Sequence, residues 1–436
     1  MNILYRIGIA AYCGAVKVAS TWNIKARKML EGQRDTAARI DSLNRLSESN
    51  KTNKRIWIHA ASLGEFEQGR PLIEKIREAF PDAIILLSFF SPSGMEVRKD
   101  YNKVDMTVYL PFDTKANAQS FIESFAPTMA IFIKYEFWGN YLTELHKRNI
   151  PTFLISGIFR KNQCFFMPWG GLFRKMLRCF THLFLQNLAS QQLLRNIGIT
   201  NTTVTGDTRL DRVIQIMRKT AQNEIINEFA ASGEKNILIA GSTWPADETL
   251  IFDWLKRNNQ YRSIIAPHEF DQQRLKSLLY NLGENAYLLS ELQQYRSQNK
   301  SIPPGIRHIV IDSFGLLASI YRYAAIAYVG GGFGAGIHNI NEAAVYGIPV
   351  VFGPNYQKFR EATDLINLGA AFPVSSQNDF DNILDKLARD KESRIQAGAI
   401  ARKYIMDNSG ATDRIFTTLF DYDNPQTHLH NYNKHL

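Results

Sequence analysis

A glutamate where an apolar strand gives way to a helix is the first feature of this chain that could do chemistry. The segment is His59-Ala-Ala-Ser62-Leu-Gly64-Glu65. A hydroxyl such as a sugar's has too high a pKa to attack unaided. A carboxylate within hydrogen-bond reach takes its proton as the new bond forms, which makes Glu65 a candidate general base. Gly64 would let the hydroxyl-bearing molecule come close. The same residues also fit a structural reading. Ser62-x-x-Glu65 has the form of a capping box, in which the serine oxygen accepts an early backbone N–H and the glutamate reaches back.

Three further groups have chemical potential. Glu136 lies in Lys134-Tyr-Glu-Phe-Trp138-Gly-Asn140, after the apolar Ile131-Phe-Ile133. It is expected at a strand's carboxyl end, where functional side chains gather in parallel sheets, or else in a solvated ion pair with Lys134. Gly206-Asp207-Thr208-Arg209-Leu210-Asp211 reads as a turn. Its Arg209 either clamps a phosphate or carboxylate or pairs with Asp207 or Asp211. The last group is spread through the second half: Gly241-Ser242-Thr243, Pro267-His268-Glu269, Phe314-Gly315-Leu316, the glycine-rich run 330–336 followed by Ile337-His338-Asn339-Ile340-Asn341-Glu342, and Gly353-Pro354-Asn355. Strand-to-helix junctions present backbone N–H groups that bind anions. The group therefore suits a nucleotide, with phosphate on the backbone and Asn339 and Glu342 toward ribose or base. As a dinucleotide fingerprint, Gly330-x-Gly332-x-x-Ala335 matches only loosely.

Other chemistries find little support. No His, Cys and carboxylate cluster has metal-ligand spacing, and His428-x-His430 lies in a polar tail. No nucleophilic triad is discernible, and neither a metal nor a cofactor is called for. Cys13, Cys164 and Cys179 are too few and too scattered for a disulfide framework, which points to the cytosolic side of a membrane.

The charge is informative by its distribution. The net +10 favours polyanions: nucleic acid, an anionic membrane or phosphorylated substrates. Residues 1–30 carry Arg6, Lys17, Lys25, Arg27 and Lys28 and no acid, around an apolar run from Ile7 to Val16. The run is shorter than the ~20 residues that span a bilayer. It suits a first helix lying in the membrane interface, or an ordinary amphipathic helix packed on the protein. From Arg160 to Arg178 cations interleave with Phe159, Phe165, Phe166, Trp169 and Phe173, without an acid. That pattern fits a nucleic-acid surface, a membrane-facing surface or an amphiphilic acceptor site.

The elements that must position these residues alternate as β and α, which argues for parallel sheets. Strands are expected at Arg55–Ala60, Ala83–Phe90, Met129–Tyr135, Thr152–Ile158 and His182–Gln186, with an amphipathic helix from Glu65 to Phe80. A polar, irregular passage around Thr205–Gly233 closes that half. The pattern restarts with strands at Asn236–Ala240, Ser263–Pro267, His308–Ile311, Ala325–Val329 and Pro349–Phe352, and helices between them. The expected architecture is α/β, two Rossmann-like domains facing a cleft. A membrane-associating N-terminal helix occupies 1–30, an acceptor-binding domain 31–218, a nucleotide-sugar domain 219–420 and a polar tail 421–436.

In this order the motifs resemble the 3-deoxy-D-manno-octulosonic acid (Kdo) transferases, lipid A glycosyltransferases. The resemblance is carried by Ile-Trp-Ile-His-Ala-Ala-Ser-Leu-Gly-Glu (56–65), Tyr-Leu-Pro-Phe-Asp (109–113), Glu-Phe-Trp (136–138), Gly-Asp-Thr-Arg-Leu-Asp (206–211), Gly-Ser-Thr (241–243), Val-Gly-Gly (329–331), His-Asn-x-x-Glu (338–342) and Gly-Pro-Asn (353–355), and it covers roughly residues 1–420. It implies a GT-B fold and inverting transfer of Kdo from CMP-Kdo to a lipid A precursor, lipid IVA, at the cytoplasmic face of the inner membrane. It implies no nucleic-acid partner. Glu65 would be the base, with Glu136 and Arg209 stabilising the transition state. Ser242, Thr243, Pro267, His268, Phe314, Gly315, Leu316, Asn339, Ile340, Asn341 and Glu342 would hold CMP-Kdo. Arg209 stands where the family commonly has lysine, His268 replaces an arginine and Leu316 an acid. Lys134 and Gly139 replace a glutamate and a proline. Two alternatives stay open: a GT-B transferase using another nucleotide sugar, and a non-enzymatic basic module that binds membranes or polyanions.

Overall fold

The computed structural model describes residues 3–47, 54–219, 223–232, 236–298 and 300–421. The pair His428 and His430 lies outside them.

Runs such as Ile-Ile-Leu-Leu-Ser-Phe are apolar on both faces, so they form strands covered on both sides, the mark of parallel sheets. The first sheet contains β1 (Arg55–Ala60), β2 (Ile84–Phe89), β3 (Met106–Tyr109), β4 (Met129–Ile133), β5 (Thr152–Gly157), β6 (His182–Leu185) and β7 (Thr202–Val204). Its order is β3-β2-β1-β4-β5-β6-β7, with every neighbouring pair parallel. The second contains β8 (Ile237–Thr243), β9 (Arg262–Pro267), β10 (Ala286–Leu288), β11 (His308–Val310), β12 (Ile326–Val329), β13 (Val350–Phe352) and β14 (Ala371–Pro373). It runs β10-β11-β9-β8-β12-β13-β14, again all parallel. In each sheet the chain winds outward and then crosses back, to β4 beside β1 and to β12 beside β8. At such switch points the connections leave in opposite directions and open a crevice at the strands' carboxyl ends.

Two compact units result, Met1–Arg212 with Ser409–Leu436, and Val213–Asn408. The chain therefore crosses between them twice, where the sequence suggested a single linker. The returning helix, Ala411–Asp421, belongs to the first unit. Its Ile415 and Leu419 are buried in that unit's core, and Phe416 and Phe420 pack on Phe80. Asp211 accepts the backbone N–H of Thr412 at 2.6 Å. The sequence reading had placed this helix in the second domain, 219–420, because the surface a helix packs on is not written in its own residues.

Two more expectations change. The passage 205–233 is largely helical, as Thr208–Lys219 and Glu224–Ala231. Leu210, Val213 and Ile214, then Ile225, Ile226 and Phe229, form the buried faces of these helices, which high overall polarity conceals. The division at residue 30 falls inside a continuous helix. After α1 (Ile3–Ala19) comes α2 (Ile24–Leu46), capped by the Asn23 side chain and burying Met29, Thr36, Ile40 and Leu43. No helix among the described residues is long and apolar enough to cross a membrane.

Candidate active site

The first unit's switch point lies between β1 and β4, and the motifs converge there. Helix α3 (Leu63–Ala79) starts three residues after β1 and lies close against β4 at Gly69. A Cβ on Gly69 would fall 2.2 Å from Ile133 Cδ1. Glu65 sits in the helix's first turn, half-buried. The capping box does not form. Ser62 makes no side-chain bond to the helix backbone and instead donates its hydroxyl to the Glu65 carboxylate. A Cβ on Gly64 would meet nothing nearer than Ser62 Oγ at 3.8 Å, so the fold itself does not require glycine there.

Lys134 faces the same charges. It follows β4 in the left-handed region, φ +69°. Burial pushes its ammonium down, Glu65 and Asp207 pull it back up, and Arg209 and Arg160 lower it again. The neighbouring Tyr135 phenol is raised by burial and feels Arg160, Glu65 and Arg209. Glu65, Lys134, Arg160, Asp207 and Arg209 thus form one field of mixed charge. Arg209 donates from Nε (2.8 Å) and Nη2 (2.6 Å) to Asp207 Oδ2, so the pairing expected as one alternative is with Asp207. Asp211 instead binds the returning helix.

Glu136 is in neither a solvated pair nor contact with Lys134. It is buried, with its Oε2 3.0 Å from His59 Nε2 and accepting from Trp138 Nε1 at 2.6 Å. Trp138 Nε1 also lies 3.0 Å from His59 Nε2, so the three side chains close a triangle. His59 Nδ1 lies 2.8 Å from Ser88 Oγ, which also accepts from Trp57 Nε1 at 2.8 Å. The network runs through β1, β2 and the loop after β4. A buried polar chain whose members are all bonded fixes one geometry. The loop is also pinned from outside. Asp113, the last residue of the Tyr-Leu-Pro-Phe-Asp motif, accepts from the backbone of Asn140 and Tyr141 at 3.0 Å each. It thereby caps the helix Gly139–Lys147. Tyr5 of α1 donates to Asp113 and accepts from Gly139 N at 3.1 Å. Burial pushes the Asp113 carboxyl up to about 6 against these hydrogen bonds.

Beside Tyr135 opens an aromatic cavity of about 410 Å³, lined by Tyr5, Phe137, Phe165, Phe173 and, among others, Arg160. The basic and aromatic stretch 160–178 supplies most of its wall. Nearby on the chain Trp169 is 68% exposed. On α1, Ile3, Ile7, Val18 and Tyr12 are exposed.

In the second unit the edge is built from backbone. A Cβ on Gly330 would fall 2.3 Å from Ser242 O, and one on Gly332 2.6 Å from Gly353 Cα. Gly331 has φ +90° and Ser242 φ +53°. Buried Asp247 holds the loop by accepting from Trp244 N (2.9 Å), Gly331 N (3.0 Å) and Tyr328 Oη (2.7 Å). Thr243 donates to Glu248 at 2.7 Å, as does Arg274 at 2.6 Å. Burial raises the Glu248 carboxyl, opposed by both donors. Asn339 donates to Glu342 at 3.0 Å. Asn341 is buried, and both atoms of its amide lack a hydrogen-bond partner. That is costly for a polar group. Phe314 is 84% exposed and tilts against Phe270 at 4.7 Å. Gly315 has φ +89° and Leu316 is half-buried. Pro267 is buried, and the Ile340 side chain lies in the core, leaving only its backbone for a ligand.

The sequence had not singled out Ser62, His59, Lys134, Arg160, Asp247, Trp244 or His338 as functional groups. His59 and Ser62 flank the strand end, and Trp244 opens a helix, but their partnerships depend on strand order.

Residues 35–212 match the family model described as 3-Deoxy-D-manno-octulosonic-acid transferase (kdotransferase). A 3-deoxy-D-manno-octulosonic acid transferase of Rickettsia bellii is 26% identical over 350 residues, covering 78% of this chain and 80% of that protein. One from Chlamydia trachomatis serovar A is 26% identical over 346 residues, covering 77% and 78%. Among solved structures, the UDP-GlcNAc 2-epimerase of Neisseria meningitidis bound to UDP-GlcNAc superposes with a TM-score of 0.59 at 14% identity, covering 84% of this chain and 100% of that one. A putative UDP-N-acetylglucosamine 2-epimerase of Listeria monocytogenes gives 0.60 at 12%, covering 85% and 97%. The structural likeness shows the fold, the pair of Rossmann-like units of GT-B type.

Proposed function

We propose that this chain, a relative of the Kdo transferases through most of its length, transfers Kdo from CMP-Kdo to a lipid A precursor, lipid IVA, with inversion and release of CMP. The observation that carries the proposal is the state of Glu65. It is at the switch-point edge, is bound by Ser62 rather than by its own helix's backbone, and lies in the field of Lys134 and Arg209.

In this reading Glu65 takes the proton of the acceptor hydroxyl as its oxygen bonds to the anomeric carbon of Kdo. The bond from that carbon to the phosphate oxygen breaks, and CMP leaves as an anion. One displacement inverts the centre. Lys134 and Arg209 offset charge as it develops. Glu136, held by His59 and Trp138, stabilises the transition state through the field it contributes. The donor rests on the second unit, where the glycine-rich backbone suits phosphate and Asn341 has an unbonded amide to offer. The acceptor is amphiphilic and phosphorylated. The aromatic cavity with Arg160 beside Tyr135 supplies an apolar wall and a cation for it. The exposed apolar residues of α1, with the cations Arg6 and Lys17 among them, suit the cytoplasmic face of the inner membrane.

Purified protein incubated with CMP-Kdo and a defined lipid A precursor should release CMP and give a product heavier by one or more Kdo. The mass also counts the sugars. Absence of CMP release above background defeats the proposal. CMP should raise the melting temperature more than UDP or ADP, since preferential binding stabilises the native state. A larger shift with UDP would instead favour a transferase using another nucleotide sugar.

A further inference from the structure

A larger cavity opens elsewhere in the first unit. It holds about 660 Å³ between the end of α1, helix α2, the loop after β3 and the helix Lys115–Phe125. None of its lining residues belongs to the Glu65 edge or to the aromatic cavity. Its walls are tied to the fold. Thr36 of α2 donates to Tyr109 O at 2.8 Å, and Asn117 Nδ2 donates to Phe112 O at 2.9 Å. Tyr12 of α1 meets Phe112 edge to face, with centroids 5.9 Å apart.

The lining is of two kinds. Leu30, Ile40, Phe112 and Phe121 give it an apolar wall, and Lys17 and Arg34 give it two cations. Both cations are exposed, and among the described residues neither side chain has a hydrogen bond or an ion pair. Gln33 also lines the cavity, and its Nε2 is buried without a hydrogen-bond partner. Such a donor carries a desolvation cost that a ligand oxygen would remove. No carboxylate lines the cavity: Glu31, Asp35 and Asp41 of α2 are exposed and form no part of it. Two free cations and a free amide donor beside an apolar wall, with no acid among them, suit an anion carried on hydrocarbon.

The neighbouring surface says where such a molecule comes from. Lys17 and Ser20, from the end of α1, line the cavity, and the turn that follows exposes Trp22 and then Ile24. Ile7 and Val18 of α1 are exposed as well. Tryptophan favours the boundary between headgroups and hydrocarbon, and cations at that boundary attract anionic lipids.

We propose that this cavity binds an anionic glycerophospholipid of the membrane. Lys17, Arg34 and the Gln33 amide hold its phosphate, and the first carbons of its acyl chains lie on Phe112 and Phe121. The site shares no residue with the transfer chemistry, so the two can fail separately.

The test is calorimetric titration of the full-length protein with dihexanoyl-phosphatidylglycerol, kept below its micelle concentration. It should bind at least roughly tenfold more tightly than dihexanoyl-phosphatidylcholine, whose headgroup has no net charge, and than glycerol 3-phosphate, which has no chains. The double variant Lys17→Gln/Arg34→Gln should lose the preference for phosphatidylglycerol. Arg6→Gln/Lys25→Gln removes the same charge from outside the cavity and should keep it. Ala37 lines the cavity, so Ala37→Trp should block binding by filling it without touching a charge. Equal losses in the two double variants overturn the inference, because they show only the general attraction of a basic surface. Undiminished binding by Ala37→Trp overturns it too. If Ala37→Trp does not fold, as judged by its melting curve, the double variants decide, since they alter exposed side chains only. Tighter binding of a lipid A precursor than of phosphatidylglycerol, lost in Lys17→Gln/Arg34→Gln, would assign the cavity to the acceptor and overturn the inference as well.

Discussion

The two sheets share a way of opening a crevice and fill it with opposite materials. At the end of β1 and β4 the first unit sets side chains: a half-buried glutamate, a partly desolvated lysine and a fully bonded Glu136–His59–Trp138 network. At the end of β8 and β12 the second unit sets backbone, glycines too close to their neighbours to bear a Cβ, held in place by buried Asp247. Side chains carry protons and localised charge. Tightly packed backbone offers N–H groups that hold an anion and do not titrate. In the proposed function this contrast separates chemistry from holding, although both units use one topological device.

The largest effect that could break this contrast is at Glu65. Replacement with glutamine keeps shape and hydrogen bonding to Ser62 but removes the base. Turnover should fall by about 10²- to 10⁴-fold, with CMP affinity nearly unchanged by calorimetry. The melting temperature should also hold, because the capping box is not made, whereas loss of a working cap costs about 1 kcal/mol. Equal losses in rate and donor affinity would erase the division of labour.

A methyl group at Gly330 should do the reverse. Its Cβ would fall 2.3 Å from Ser242 O and 2.7 Å from Thr243 Cα, and backbone cannot step aside as a side chain can. Gly330→Ala should destabilise the protein by about 1–3 kcal/mol and abolish the thermal shift given by CMP. A Gly330→Ala protein with full CMP response would show that the loop's close packing is architectural only.

How much of this the sequence discloses follows from where each residue sits. In each sheet the five central strands were readable from their apolar runs. The four missed strands, β3, β7, β10 and β14, are the four sheet edges. Edge strands are short, and segments such as Thr202-Thr-Val and Ala286-Tyr-Leu lack the buried run that marks a strand covered on both faces. The returning helix at 411–421 was placed with the second domain, because its allegiance depends on Phe80 and Asp211, hundreds of residues away. In the candidate site the order of motifs pointed to Glu65, Glu136 and Arg209 as candidates. The partners that define their states, Ser62, His59, Trp138 and Asp207, needed the structure, because which side chain bonds which depends on strand adjacency. The ring contacts among Trp244, His268 and His338 bring together three strand ends and likewise needed the structure.

At the opposite, amino ends of the strands the two units should behave alike, which sharpens the contrast from the other side. His182 opens β6 and His308 opens β11, and both are buried. His182 Nε2 lies 2.9 Å from Thr203 Oγ1, and His308 Nδ1 2.8 Å from Ser263 Oγ. Burial holds each imidazole down to about 4, helped at His308 by Arg307. Each ring is neutral in the folded protein. Below about pH 6.5 the unfolded chain gains protons there that the folded one refuses. Stability contributed by these sites is therefore complete above about pH 6.5 and is lost as the pH falls toward 4, by up to about 3 kcal/mol each. Urea titrations at pH 7 and pH 5 should show this loss shrink in His182→Gln and in His308→Gln by similar amounts. A loss that shrinks in only one variant would show that the likeness of the two units stops at strand order and does not reach their amino ends.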